Sequence, residues 1–317
     1  MANWSLLRRC GASLLVQSRN CVNKSAAACL STQTTPPKNL VDSVLDEKTG
    51  ISTLSMSRAP VNSLNLDLIN ALRKALENAV DKGSQGIIIT SSMPTVFSAG
   101  LDIMEMYKPD LKRCEEFWHS LQDLWLNLYG MGIPTVAAIN GASPAGGCLL
   151  ALSCEYRIMV QGEHTIGLNE TKLGIVAPKW FADPMISTIG YRQAELALMR
   201  YFSNETFSLS IVFLFFVFKI YRGSLFKPDE ALKIGLIDEI ASDKNDALAK
   251  SQKYITSYAR IPSEAREATK LSLRKETIAW LENNREWDTT VFLNYVQLPQ
   301  VQKGLDMYVQ SLKKKSK

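Results

Sequence analysis

Residues 134–148 read PTVAAINGASPAGGC, and this stretch decides the fold class. Its first part, 134–139, is an apolar run that is typical of a buried β-strand. The residues that follow are small, and they include Gly146 and Gly147, at which the backbone can turn sharply or be approached closely. An apolar helix is predicted next, at 148–153. Backbone N–H groups at such a strand–helix junction are unpaired and point outward, with the helix dipole behind them.

A second stretch upstream has the same design. Residues 86–90 read GIIIT, a short apolar run suited to a buried strand, and residues 96–103 read VFSAGLDI. If this turn faces the one at 140–147, their N–H groups form an oxyanion hole, a donor pair that stabilises an enolate or a tetrahedral oxygen. Either turn alone is more often an ordinary tight turn, because glycine most commonly marks a turn.

A third stretch supplies a carboxylate. Residues 167–175 read GLNETKLGI, so Glu170 has small and apolar neighbours. Burial would raise the pKa of this side chain and would suit it to act as a general base. A lone glutamate is more commonly a solvated surface group, and that alternative stays open at this point.

Periodicity extends the pattern along the chain. Residues 40–58 predict two short strands around a turn, and residues 64–80 and 113–129 predict amphipathic helices from apolar side chains spaced near 3.6. A further strand is predicted at 156–160, and from about residue 227 onward the pattern is mostly helical. Strands that alternate with helices predict an α/β fold.

The formal net charge of +5 is concentrated at the start of the chain. Residues 1–41 contain five basic residues and no acidic one, and the remaining residues contain as many basic as acidic side chains. A segment rich in arginine and serine and free of acids is typical of a mitochondrial transit peptide, with a disordered basic arm as the alternative. The neutral remainder argues against a nucleic-acid partner, which would require a basic surface.

Cysteine and histidine are too few and too irregularly spaced for several kinds of site. Beyond the leader, Cys114, Cys148 and Cys154 suggest neither a disulfide framework nor a zinc site. His119 and His164 are the only histidines, which argues against a Ser-His-Asp triad. We therefore expect no metal site, and the sequence has no glycine-rich phosphate loop of standard spacing.

Residues 201–222 do not follow the pattern of the rest. They contain six of the eleven phenylalanines, and their longest apolar run is too short to span a bilayer. The composition is what a pyrimidine-rich intron would encode, so we interpret the segment as a retained intron, with an insertion in a surface loop as the alternative. Attachment to a membrane surface is a third reading, but Lys219 and Arg222 are its only positive charges.

The three stretches together, at these intervals, resemble the crotonase (enoyl-CoA hydratase/isomerase) superfamily. The resemblance covers about residues 42–200 and 223–310. It implies a spiral of ββα repeats at 42–240 and a helical region at 241–317 that builds a homotrimer. Together with the leader at 1–41, it implies an enzyme of the mitochondrial matrix that acts on acyl-CoA thioesters and is not inserted in a membrane.

The resemblance also implies roles for individual residues. The oxyanion amides fall on Ala99 and Gly146, and Glu170 matches the second of two glutamates that hydratases use. The first glutamate falls at Leu149 and is therefore absent. Contacts to the thioester, largely through backbone, are implied at Ala59, Val61, Asn62, Leu64, Ala99, Gly100, Leu101, Asp102, Ile103, Leu149 and Asn169. No metal or other cofactor is implied, since coenzyme A is part of the substrate.

The leucine at position 149 favours one reaction of the family over another. Hydration needs a water held between two carboxylates, whereas a double-bond shift needs one base that takes a proton from C2 and returns it to C4. We therefore expect an isomerase that converts 3-cis- or 3-trans-enoyl-CoA to 2-trans-enoyl-CoA. The alternatives are a hydratase, a dienoyl-CoA isomerase or a thioesterase on the same fold, or a non-catalytic relative that binds acyl-CoA or RNA.

Overall fold

The computed structural model describes residues 39–173, 175–199 and 224–315. The predicted intron-like segment at 201–222 and nearly all of the predicted leader at 1–41 lie outside the described residues. The first strand begins at Val41, the last residue of that predicted leader.

Six strands form one sheet in the order β1-β2-β3-β4-β6-β8, and β5 and β7 form a separate parallel pair. The first two strands are antiparallel and all the later neighbours in the large sheet are parallel. The strands are β1 (Val41–Asp46), β2 (Ile51–Met56), β3 (Gly86–Ser91), β4 (Thr135–Ile139), β5 (Ser143–Pro144), β6 (Tyr156–Val160), β7 (Ile166–Gly167) and β8 (Glu239–Ala241). All of the strands predicted from the sequence are confirmed.

The first two helices follow the predicted amphipathic pattern, and each begins at a capping side chain. The helices are α1 (Leu66–Asp81), α2 (Leu111–Tyr129), α3 (Gly146–Ser153), α4 (Lys179–Ile189), α5 (Tyr191–Met199), α6 (Pro228–Lys233), α7 (Lys244–Thr256), α8 (Ser263–Val296) and α9 (Pro299–Lys315). Asn65 accepts from the Leu68 N–H at the start of α1, and Asp110 accepts from the Arg113 N–H at the start of α2. The capped helices therefore begin two residues after the predicted start at 64 and two residues before the predicted start at 113.

Helices cover both faces of the sheet. Strands β3 and β4 are buried along their whole length, as expected of parallel strands in an α/β protein. The larger core lies on the side of α1, α2 and α3, and it includes the fully buried Phe117 and Trp125. A smaller apolar cluster on the other face joins Ile88, Val136 and Ile158 to Ile255 of α7. The predicted α/β class is therefore confirmed.

The C-terminal helices α8 and α9 pack against elements that come earlier in the chain. The buried Asp288 of α8 accepts hydrogen bonds from the indole nitrogens of Trp118 and Trp180 and from the Gln122 amide, so it ties α2 and α4 together. Helix α9 buries one apolar face and packs against the end of α8 and the 3-10 helix Glu170–Leu173. Within the described ranges, no helix is both long enough and apolar enough to cross a bilayer.

Candidate active site

The first two stretches singled out in the sequence lie face to face. Phe97 N–H donates to the Ala142 carbonyl across 2.9 Å, which joins the two turns. A Cβ atom on Gly100 would lie 3.2 Å from the Gly146 nitrogen, and one on Gly146 would lie 3.0 Å from the Leu101 nitrogen. Gly100 also has a φ of 93°, a conformation that side chains disfavour. The close approach of the two turns therefore depends on these glycines, and the predicted juxtaposition is confirmed.

Leu101 and Gly146 each present a free N–H group at this junction. Ala99 N–H already donates to the Val61 carbonyl at 2.9 Å, so it is not available for a substrate oxygen. Leu101 N–H has no acceptor among the residues that the structure describes. Gly146 is the first residue of α3, where an N–H has no intrahelical acceptor. The structure therefore replaces Ala99 with Leu101 as the partner of Gly146.

An unusual backbone conformation directs the Gly146 N–H. Ala145 has φ 49° and ψ −121°, values that are normally open only to glycine. Its own N–H donates to the Gly167 carbonyl at 2.8 Å, within the short pairing of β5 with β7. That pairing holds the strained residue in place and also joins the second stretch to the third.

Glu170 is a buried carboxylate without a hydrogen-bond partner. Glu170 is the first residue of the 3-10 helix Glu170–Leu173, and it is only 8% exposed. Neither oxygen of its carboxylate has a hydrogen-bond partner within the described part of the chain. Burial raises the pKa of Glu170 to about 7. The surface alternative for this residue is therefore wrong, and the side chain has the properties of a base that titrates near neutral pH.

Helix α3 buries an apolar side chain and a thiol on its first turn. Leu149 is 3% exposed, and Cys148 beside it is fully buried. Burial and, second, the negative charge of Glu170 raise the pKa of the Cys148 thiol, so the thiol stays protonated. The predicted absence of a second carboxylate at position 149 leaves an apolar wall there.

The loop at 58–64 contains both accessible and structural residues. Ala59 is exposed and Val61 is half-buried, so both can meet a ligand. Asn62 is fully buried and its amide donates to the Ser91 hydroxyl and the Phe97 carbonyl, which makes it a brace of the loop. Leu64 is 1% exposed and packs in the core. The side chains of Asn62 and Leu64 are therefore not open to a ligand, and the contacts implied there, which are largely through backbone, stay predictions.

Arg58 is a site residue that the sequence reasoning missed. Its guanidinium lies 2.9 Å from Asp102 and donates to the Ser63 carbonyl at 3.0 Å, so it links the 58–64 loop to the 99–103 loop. Asp102 also accepts from the Met104 N–H and thereby begins the 3-10 helix Ile103–Glu105. A partly exposed arginine at this edge could have been recognised as a potential phosphate contact, because guanidinium groups pair well with phosphates.

Asn169 and Ile103 are the remaining residues at which a substrate contact is predicted. The Asn169 Oδ1 is buried and has no donor among the described residues, and Ile103 is half-buried. The site thus combines two free N–H donors with oxygen acceptors that only an incoming donor or a proton can satisfy. Such a set can stabilise an oxyanion on one side and move a proton on the other.

The chain matches known proteins over most of its length. The sequence profile described as enoyl-CoA hydratase/isomerase matches residues 46–205. The chain is 41% identical over 268 residues to "Enoyl-CoA delta isomerase 1, mitochondrial" from Mus musculus, across 84% of this chain and 85% of that protein. It is 38% identical over 270 residues to the protein of the same name from Homo sapiens, across 84% and 82%.

A solved structure is similar to this chain in fold as well. The crystal structure of human mitochondrial delta3-delta2-enoyl-CoA isomerase superposes with a TM-score of 0.77 at 37% sequence identity, and the match covers 88% of this chain and all of that one. The similarity in sequence and the similarity in fold therefore concern the same group of proteins.

Proposed function

The chain belongs to the enoyl-CoA hydratase/isomerase family, and we propose that it acts as an enoyl-CoA isomerase, converting 3-cis- and 3-trans-enoyl-CoA to 2-trans-enoyl-CoA. Its fold is the crotonase fold, an α/β spiral followed by C-terminal helices. The observation that carries the proposal is a buried carboxylate without a hydrogen-bond partner, Glu170, in a chain that also presents the free amides of Leu101 and Gly146. Leu149 stands in place of a second glutamate. Relatives at 38–41% identity are named delta isomerases.

Each group has one task in the reaction. The N–H groups of Leu101 and Gly146 donate to the thioester oxygen, and these bonds strengthen as negative charge develops on that oxygen. The Glu170 carboxylate takes a proton from C2, the electron pair passes to the thioester oxygen, and the same carboxyl group returns the proton to C4. The double bond then lies between C2 and C3. No metal or redox cofactor is needed, since only a proton moves.

Turnover of the purified chain is the direct test of this proposal. The chain, with and without residues 201–222, is offered 3-cis- and 3-trans-enoyl-CoA of several lengths in an assay coupled to a hydratase and a dehydrogenase. Hydration of 2-trans-enoyl-CoA is measured in parallel without the coupling hydratase. Isomerisation well above hydration supports the proposal, and hydration as the faster reaction identifies a hydratase instead.

The pH dependence of kcat/KM is expected to follow Glu170. Only the carboxylate form can accept the C2 proton, and burial places the pKa of Glu170 at about 7. The rate should therefore fall about tenfold for each pH unit below about 7 and level off above it. A profile of kcat/KM between pH 5 and pH 9 measures this midpoint in the free enzyme. A midpoint near the ordinary value of 4.5 would contradict the assigned role.

Substitution of Leu149 by glutamate is expected to produce at most weak hydration. The new carboxylate could hold a water opposite Glu170, but it would be buried in a pocket shaped by leucine, and two nearby carboxylates oppose each other's ionisation. We expect hydration of 2-trans-enoyl-CoA below roughly one hundredth of the wild-type isomerisation rate. Leu149→Gln is the control, since it is polar but cannot act as a base. Hydration as fast as wild-type isomerisation would show that Leu149 alone selects the reaction.

We place the protein in mitochondria, and within them in the matrix, where it acts in β-oxidation of unsaturated fatty acids. The names of its relatives and the acid-free leader support this location. We further propose that the chain assembles as a homotrimer, which the family resemblance implies. Apolar side chains that the C-terminal helices leave exposed, among them Leu273, Trp287 and Met307, support self-association. Light scattering from the purified chain measures that assembly state.

A further inference from the structure

Helix α9 holds the turn at 106–108 through one glutamine. The Gln302 Nε2 donates to the Met106 carbonyl at 2.9 Å and to the Val296 carbonyl at 2.7 Å, while its Oε1 accepts from the Lys108 N–H at 2.9 Å. Lys108 has a φ of 47°, which a residue other than glycine adopts only where its surroundings enforce it. One carboxamide therefore satisfies backbone groups on both sides of a strained turn.

A second side chain of α9 holds the same turn. The Tyr107 hydroxyl donates to Asp306 at 2.5 Å, and Asp306 lies one helical turn after Gln302, on the same face of α9. The docking of α9 itself rests on other residues, because its apolar face is buried in the main core through Val301 and Leu305. The Gln302 contacts are therefore additional to those that hold the helix in place.

The turn is continuous with one of the two oxyanion donors. Met106 N–H and Tyr107 N–H both donate to the Ile103 carbonyl, and Glu105 N–H donates to the Asp102 carbonyl. Residues 102–107 are thus one hydrogen-bonded run that begins directly after Leu101, whose N–H is free. Because α9 also packs against the 3-10 helix that begins at Glu170, one helix contacts both halves of the site.

We propose that Gln302 is a positioning residue that, through the turn at 106–108, holds the Leu101 N–H where the enolate oxygen forms. This proposal rests on the proposed isomerase function. An oxyanion donor binds the enolate much more strongly than the neutral thioester, so a small displacement of Leu101 weakens the transition state more than the bound substrate. Loss of Gln302 should therefore lower kcat while KM stays nearly constant.

Gln302→Ala tests the proposal in the full-length protein. Misplacement of a reacting group by about one ångström costs on the order of 10²-fold, so we expect kcat to fall by about 10-fold to 100-fold with KM within about twofold of wild type. Binding of a saturated acyl-CoA should be unchanged. The matched control is Gln297→Ala, because Gln297 is exposed and its amide donates to the Leu293 carbonyl of α8, one turn earlier in the chain. Tyr107→Phe should lower kcat in the same direction, and its effect should not add fully to that of Gln302→Ala.

Amide hydrogen exchange gives a readout that does not depend on activity. Glu105 N–H and Met106 N–H do not bond to Gln302 directly, so faster exchange at both in Gln302→Ala but not in Gln297→Ala supports a loosened 102–107 run. Unchanged exchange together with unchanged kcat overturns the proposal, and so does a rise in KM as large as the fall in kcat. If the wild type itself shows no isomerisation, the proposed function fails, and the exchange result alone decides whether Gln302 holds this loop.

Discussion

Replacing Glu170 by glutamine is expected to lower kcat/KM for 3-enoyl-CoA by about 10⁴-fold or more. Glutamine keeps the size of the side chain but cannot take a proton from C2 or return one to C4. Position 149 cannot supply a second carboxylate to replace it, because it is a leucine. The oxyanion amides remain, so binding of a saturated acyl-CoA should stay within about threefold of wild type.

The same variant should remain folded and should gain stability above neutral pH. The pKa of Glu170 is raised from 4.5 to about 7, so between these values the unfolded chain loses its proton first and stability falls as pH rises. The full cost, about 3 kcal/mol, is present above pH 7. Glutamine does not ionise and carries no such cost. Unfolding measured at pH 8 should therefore give an equal or higher melting temperature for Glu170→Gln.

Glu77→Gln is the matched control for this experiment. Glu77 is an exposed glutamate on α1 for which no role in binding or catalysis is proposed. Its conversion to glutamine should therefore change neither the rate nor the stability measurably. A Glu170→Gln enzyme that keeps more than about one tenth of the wild-type kcat/KM would remove Glu170 as the base. In that case the raised pKa of Glu170 would be a consequence of its burial without a part in the reaction.

Most of the fold could be predicted from periodicity because its main elements are long and strongly patterned. The strand at 86–91 and the helix at 111–129 are buried through runs or stripes of apolar residues that few other structures would accommodate. The short strands β5, β7 and β8 could not be predicted, since each has only two or three residues. Their pairing depends on contacts between residues far apart in sequence.

The candidate site could be predicted in its parts but not in its detailed geometry. Glu170 and Gly146 were identified correctly as a buried carboxylate and a free amide, because small and apolar neighbours constrain both. The other amide was assigned to Ala99, but the direction of each N–H depends on the φ of 93° at Gly100 and on which carbonyl it meets. Sequence spacing does not determine that direction, and only the bond from Ala99 to Val61 reveals Leu101 as the free donor.

A single methyl group at position 146 is expected to lower kcat/KM by about 10³-fold. In Gly146→Ala the new Cβ would lie 3.0 Å from the Leu101 nitrogen and 3.0 Å from the Leu101 Cδ2, between the two donors. The space that a thioester oxygen must enter would then be filled. Removal of one oxyanion donor costs on the order of 10² to 10³ in kcat, and here both donors would be obstructed.

Stability must be measured beside the rate, because the new methyl presses on the backbone of the facing turn. Alanine is favoured over glycine within a helix by up to about 1 kcal/mol, which offsets part of that strain, so we expect Gly146→Ala to stay folded with a modestly lower melting temperature. Gly132→Ala is the control, because its methyl would meet only the flexible end of the Glu267 side chain. If Gly146→Ala stays folded and keeps its rate within about tenfold of wild type, the oxygen does not lie between Leu101 and Gly146. If it loses activity while Gly132→Ala does not, the gap that two facing turns leave open is where the enolate forms.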